Sequence, residues 1–290
     1  MVSGRGSLLR SALKKLQRVS EPRLLRIAHS LERRLGRVPA PPAVTARAVC
    51  AVDLASGAQI LSKNAWLPTP PASLTKLATS ILLARASEGR WQEQVEVRAE
   101  DLCRGSTMGL TAGDVITRQD VLYGMILPSG NDAAMVAARL IGPHWLEDIN
   151  ALASEFGMVR TRFATPDGRD MRSQFSTARD LASLAAAAFA VPQIRLAAAT
   201  SHYEVRVGGP NQRTLTLTST VQMLGAPHVV AGKTGSTPWA GGCLALLVEK
   251  AGNQAVVVLM GATVAFDALG KVVEVSDRRY DDAREIIRSL

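Results

Sequence analysis

The chain has 290 residues, enough for one large domain or two modest ones, and its 47% hydrophobic and 4% aromatic content is that of a globular protein. The net charge of +9 is unevenly spread: residues 1–37 hold ten Lys or Arg against two acids, leaving 24 bases against 23 acids elsewhere. A nearly neutral body excludes the broad basic face that nucleic-acid binding requires, and no apolar run approaches the roughly 20 residues of a membrane-spanning helix.

In chain order, residues 1–43 form a first region. Ser20-Glu21-Pro22 reads as a helix start, Leu24, Ile27, Ala28, Leu31 and Leu35 recur at helical spacing, and Gly36 is a fitting stop. Arginines fill the opposite face, so residues 20–37 read as a basic amphipathic helix. It either packs as a surface helix or makes a peripheral contact with an anionic membrane surface. Pro39, Pro41 and Pro42 read as a linker. A secretory signal needs an apolar core of about 7–15 residues, and the longest aliphatic runs before residue 40 are Leu pairs, so no signal peptide is expected.

Residues 44–290 read as the second region. Ala46–Asp53 and Gln59–Leu61 flank a Ser56-Gly57 turn and predict a hairpin. Leu74–Ala86, Asp132–Ile141 and Thr177–Ala190 predict helices. Ser201–Val207 and Arg213–Thr218 predict a second hairpin around Gly208-Gly209-Pro210-Asn211. Val229–Lys233, Cys243–Val248 and Ala255–Met260 follow as strands, and Asp281–Leu290 as a closing helix. Strands at both ends with helices between imply an α+β fold, one antiparallel sheet with an inserted helical region.

Cys50, Cys103 and Cys243 form no CxxC pair and their number is odd, so neither a disulfide framework nor a thiolate metal site is expected. The four histidines show no HxxxH spacing, and no metal or other cofactor is expected.

Three motifs carry candidate chemistry: Ser73-Leu74-Thr75-Lys76, Ser129-Gly130-Asn131 and Lys233-Thr234-Gly235. Singly the first two are weak, since Ser11…Lys14 also fits SxxK and Ser62-Lys63-Asn64 also fits SxN. A serine hydroxyl needs a neighbouring base to become a nucleophile. Ser73, following Pro70-Pro71-Ala72 at the head of a helical pattern, is expected in the first helical turn, where residues three apart share a face and bring the Lys76 amine beside it. Lys76 acts as a base only if burial and a nearby cation depress its pKa, and Lys233 is the expected cation. Ser129 and Asn131 lie in a turn between two helical segments, suited to relaying a proton and holding an amide, or simply to capping a helix. Lys233 and Thr234 follow a strand of small residues, where a peptide ending in a carboxylate could pair along the edge; a lone motif of this kind is also compatible with a surface turn.

The order SxxK, SxN, KTG, at separations of 56 and 104 residues, resembles the serine penicillin-binding and β-lactamase superfamily. The segments Pro71–Leu77, Pro128–Ala134, Gly232–Thr237, Thr165-Pro166-Asp167-Gly168 and Ser176–Asp180 resemble D-alanyl-D-alanine carboxypeptidases of low molecular mass, from about residue 45 to the C-terminus. The resemblance implies a β-lactamase/transpeptidase-like fold and an acyl-enzyme mechanism. Ser73, activated by Lys76, would attack the bond before the terminal D-alanine of a peptidoglycan stem peptide, with Ser129 passing a proton to the leaving group. Asn131, Lys233, Thr234, Gly235, Ser236 and Thr237 would bind substrate, the Ser73 and Ser236 N–H groups would form the oxyanion hole, and Arg279 falls where the family has an arginine for the substrate carboxylate. β-Lactams are implied as inhibitors, and the substrate implies a periplasmic or cell-envelope location.

A class A β-lactamase shares these motifs but needs a deacylating glutamate in a Glu-x-x-Leu-Asn segment, which this sequence lacks. A D-aminopeptidase or D-peptide endopeptidase, and a non-catalytic binding protein on the same scaffold, are the other readings. Ser236 replaces a residue that is often bulkier, and Trp239 has no counterpart in the motif logic.

Overall fold

Residues 38–268, 272–273 and 276–290 are described by the computed structural model. The basic helix expected over 20–37 therefore lies outside the described residues. Ala40–Leu290 forms a compact unit, and the expected division between residues 43 and 44 falls just inside it.

Five strands make the central sheet: β1 (Ala48–Asp53), β2 (Gln59–Lys63), β7 (Val229–Thr237), β8 (Gly241–Lys250) and β9 (Asn253–Ala262), in spatial order β2-β1-β9-β8-β7 with every pair antiparallel. Period-2 alternation sends successive side chains to opposite faces, and here both faces are buried. Cys50, Val52, Cys243, Ala245, Val256 and Val258 enter a core under the main helical layer. Val49, Ala51, Leu244, Leu246, Val257 and Leu259 enter a second core under the C-terminal helix. Helices on both faces of one antiparallel sheet are the α+β architecture expected.

The helices are α1 (Thr75–Ser87), α2 (Arg118–Ile126), α3 (Asn131–Ile141), α4 (Trp145–Glu155), α5 (Ala178–Ala190), α6 (Pro192–Ala199) and α7 (Arg279–Ser289). Helix α5 lies against the sheet, with Ala178, Ala182, Leu181 and Ala185 fully or almost fully buried. Its Thr177 cap accepts from the Asp180 N–H. The chain turns by 100° between α5 and α6, where Pro192 occupies the first turn of the new helix and cannot continue the old one. Among the described residues, no single helix is long and apolar enough to cross a membrane.

Asp282 on α7 ties the start of the sheet to its end. Its carboxylate accepts from the Thr45 N–H, the Thr45 hydroxyl and the Ala46 N–H, each at 2.8 Å. Among the described residues, three small two-stranded ladders lie outside the sheet: β3 (Gln94–Glu96) with β4 (Val115–Thr117), β5 (His202–Val207) with β6 (Arg213–Thr218), and β10 (Ala265–Phe266) with β11 (Val272–Val273). The hairpin β5–β6 is joined to the β3–β4 region by Asp114, whose buried carboxylate accepts from Arg213 Nη1 at 2.8 Å, Arg213 Nη2 at 2.6 Å and the Thr111 N–H at 2.8 Å. Burial pushes this carboxyl upward, but the Arg213 and Thr111 hydrogen bonds outweigh it and hold it down at about 2. Replacing Arg213 by Ala strands a buried charge. It is expected to lower the unfolding free energy by about 2–3 kcal/mol in urea titrations, whereas a surface pair such as Arg85–Glu155 is expected to matter by less than about 1 kcal/mol.

Candidate active site

Ser73 lies not in α1 but in the single 3-10 turn Ala72–Leu74 that leads into it. The tighter turn still places a residue three positions later over the serine, and Lys76 Nζ stands 2.9 Å from Ser73 Oγ. Ala72, just before Ser73, has φ 49, a left-handed backbone that a non-glycine residue adopts only when its surroundings impose it. Those surroundings are two glycines. A Cβ on Gly168 would stand 1.9 Å from the Ala72 carbonyl oxygen, and one on Gly235 would stand 3.0 Å from the Ser73 nitrogen. The Ala72–Ser73 backbone is therefore gripped between the 165–170 loop and strand β7.

Lys76 is 0% exposed. Besides Ser73 Oγ, its amine meets Asn131 Oδ1 at 2.9 Å and the Asp167 carbonyl at 2.8 Å. A neutral amine has two N–H donors and one lone pair. Asn131 Oδ1 and the Asp167 carbonyl can only accept, so they take both donors and leave the lone pair facing the Ser73 hydroxyl. The environment favours that neutral form: burial pushes the Lys76 amine down to about 8, against an opposing pull from Asp167, Asp132 and Cys103. The Arg169 cation lowers it further, and Lys233, the cation expected from the sequence, shares a mutual repulsion with it. Lys233 is itself pushed well below the ordinary lysine range, by burial first and then by Lys76 and Arg279.

Ser129 closes the other side. Its φ of 62 is left-handed, and Gly130, not Ser129, is the residue that caps α3, so the simple capping alternative does not describe Ser129. The serine side chain instead takes a hydrogen bond from Lys233 Nζ at 2.8 Å, while the same amine donates to the Thr234 carbonyl at 3.0 Å. Asn131 is fixed by its own Nδ2, which donates to the Arg104 carbonyl at 3.0 Å. Beneath it, the Asp132 carboxylate accepts from the Met108, Gly109, Leu110 and Ala133 N–H groups and pins the 106–110 segment to the start of α3.

On β7, the edge strand of the sheet, Lys233, Thr234, Gly235, Ser236 and Thr237 follow one another past the serine. The Thr234 hydroxyl is hydrogen-bonded to the Thr220 hydroxyl. Arg279, 3% exposed, lies behind the strand. It donates to Asp277 at 2.7 Å, to the Gly235 and Cys243 carbonyls, and to Ser236 Oγ at 2.8 Å. Beyond Thr237 the turn carrying Trp239 is held by Asp170, which accepts from the Thr237 hydroxyl at 2.6 Å and the Trp239 N–H at 3.1 Å. Nine of the ten residues singled out in the sequence thus come together between α1, α3 and β7, and Arg279 meets them from behind the strand through Ser236. Among the described residues, no cluster of His, Cys, Asp or Glu could hold a metal ion.

The family profile described as D-alanyl-D-alanine carboxypeptidase matches residues 36–264. The chain belongs to that family. The D-alanyl-D-alanine carboxypeptidase DacC of Escherichia coli is 30% identical over 76% of this chain and 58% of its own length. DacF of Bacillus subtilis is 27% identical over 80% of this chain and 61% of its own length. The chain thus spans about three fifths of these relatives. A solved D-alanyl-D-alanine carboxypeptidase from Mycobacterium tuberculosis superposes with a TM-score of 0.75 at 26% identity, covering 87% of this chain and 93% of that one.

Four features of this family member's cleft escaped sequence reasoning: the Asp167 carbonyl on Lys76, Arg169, the Asp170 anchor and Thr220. The Thr165-Pro166-Asp167-Gly168 segment is legible as a family likeness, but a backbone carbonyl leaves no mark on residue identity. Gly168 is the one readable signal, since its φ of 86 and its approach to Ala72 both require glycine. Gly168→Ala is expected to displace Ser73 and slow its acylation by about 100-fold or more, measured as the rate of covalent labelling by a fluorescent penicillin. An equal labelling rate would mean the loop does not grip the nucleophile.

Proposed function

We propose that the protein is a serine D-alanyl-D-alanine carboxypeptidase that removes the terminal D-Ala from peptidoglycan stem peptides through an acyl-enzyme on Ser73. The observation that carries this reading is the three-partner cage around Lys76, which leaves its lone pair for Ser73. In the acylation step the Ser73 O–H proton passes to the Lys76 amine as Oγ bonds to the carbonyl carbon of the penultimate D-Ala. The negative oxygen is received by the Ser73 and Ser236 N–H groups. As the C–N bond breaks, Ser129 gives its proton to the departing amine and is replenished by the proton that Lys76 took from Ser73, while Lys233 Nζ, 2.8 Å away, stabilises the Ser129 oxygen. Water then hydrolyses the ester and restores Ser73.

Asn131 serves twice in this scheme, holding the base by Oδ1 and lying beside the acyl chain. The leaving group's carboxylate is received by Lys233, Thr234, Ser236 and Thr237, and its negative charge restores the charged form of Lys233 that burial disfavours. Arg279 acts through Ser236, whose hydroxyl it orients, because its own guanidinium is already committed to Asp277 and two carbonyls. β-Lactams acylate the same serine in this reading. The substrate implies work in the cell envelope, and the basic excess of residues 1–37 supports a peripheral contact with an anionic membrane surface.

Purified protein is expected to form a covalent band with fluorescent penicillin that disappears in Ser73→Ala, and to release D-alanine from a stem pentapeptide. An unlabelled wild type, or rapid turnover of nitrocefin, would replace this reading with a binding protein or a β-lactamase respectively. The acylation rate should also rise with pH. Because the base is active when neutral, the rate climbs about tenfold per unit below the Lys76 pKa and levels off above about 8. A rate that falls between pH 6 and 8 would exclude Lys76 as the base.

A further inference from the structure

Arg169 belongs to none of the three motifs, yet it stands at the back of the base. Its Nε donates to Asp167 Oδ2 at 2.9 Å and its Nη2 reaches the same oxygen at 2.7 Å. The Asp167 side chain is 0% exposed, and the carbonyl of the same residue accepts from Lys76 Nζ at 2.8 Å. A buried carboxylate one residue's length from the amine would hold a proton on it, because an opposite charge favours the ammonium form.

The remaining groups that face Lys76 do not remove this problem. From α3 come neutral Asn131 and the Asp132 carboxylate, which is saturated by four backbone N–H groups. From the 72–74 turn comes Ser73, and from β7 comes Lys233, itself disfavoured as a cation by burial. From the 102–105 segment comes Cys103, whose thiol burial pushes upward and thus keeps uncharged at neutral pH. Asp167 is therefore the carboxylate that needs a cation beside it, and Arg169 is the cation it has.

We propose that Arg169 is a positioning residue for the general base: its grip on Asp167 fixes the Asp167 carbonyl on the Lys76 amine and neutralises the buried carboxylate that would otherwise keep that amine protonated. The arrangement explains how a lysine with a buried acid for a neighbour can still present a lone pair. It rests on the reading of Ser73 and Lys76 above, and extends it to a residue outside the cleft's motifs.

The test is the pH profile of acylation by fluorescent penicillin, from pH 6 to 10, for wild type, Arg169→Leu, Arg169→Gln, Arg169→Lys and the double variant Asp167→Asn/Arg169→Leu. Loss of the guanidinium is expected to move the profile's midpoint upward by about one unit, so that Arg169→Leu and Arg169→Gln label roughly tenfold more slowly at pH 7 and converge on wild type toward pH 10. Arg169→Lys, which keeps the charge, should retain most of the rate, and removing the carboxylate as well should bring the midpoint back to the wild-type value or below. A loss of the same factor at every pH, or an unmoved midpoint in both uncharged variants, overturns the proposal while leaving Ser73 as the nucleophile. Should Arg169→Leu fail to fold, Arg169→Gln carries the same comparison. A wild type that is not labelled at all instead removes the reading on which the proposal stands.

Discussion

The site depends on keeping a lysine amine dry. Lys76 can accept a proton from Ser73 only while it is neutral, and exclusion of water is the largest influence that brings its amine toward neutrality. That requirement forces the rest of the local architecture. The amine must be surrounded, its donors must be satisfied, and any acid brought close by the enclosing segments must be compensated. Helix α1 supplies the lysine, α3 and the 165–170 loop supply the two acceptors, and β7 supplies the opposite wall. A cage drawn from four separate parts of the chain is rigid because each part is held elsewhere: α3 by Asp132, the loop by Asp167 and Asp170, and β7 by Arg279.

Two backbone strains flank the chemistry. Ala72 and Ser129 both adopt left-handed φ values without being glycine. Each such residue costs on the order of 1–3 kcal/mol, which the packing around it must offset. In both cases the strained residue carries or precedes a hydroxyl that the fold aims into the cleft. Gly168 and Gly235 are the complement of this arrangement, since they allow loop and strand to close on the Ala72–Ser73 backbone without displacing it.

How much of this could be read from the sequence follows from the range over which each signal acts. The two hairpins, helices α1, α3 and α5, strands β7–β9 and α7 follow local periodicity and turn residues, and their predicted limits lie within a few residues of the observed ones, except that β7 continues four residues past Lys233. Helices α4 and α6 are not predicted, and α2 only as a helical segment without limits before the Ser129 turn. Helix α2 is buried nearly all round, down to Asp120 and Tyr123, so its apolar pattern has no polar face to set it off. The cleft's side chains were legible because each motif is short and ordered along the chain. Its electrostatics were only partly so: Lys233 could be named as a cation for the base, but Arg169 is brought to it by a loop and is visible only once the chain is folded.

The sheet order also bears on how the molecule is made. Strand β1 lies between β2, its neighbour in sequence, and β9, about 200 residues later, with Ala48 opposite Met260. A chain emerging from the ribosome therefore presents helices α1–α6 and the β3–β4 and β5–β6 ladders before β1 has its second partner. Loops of that length close slowly. During synthesis the apolar surface of β1 that belongs beside β9 awaits its partner, and so do the two cores that meet on the sheet. Ser73 and the lysine of β7 therefore come together only once β8 and β9 have joined β7 to β1.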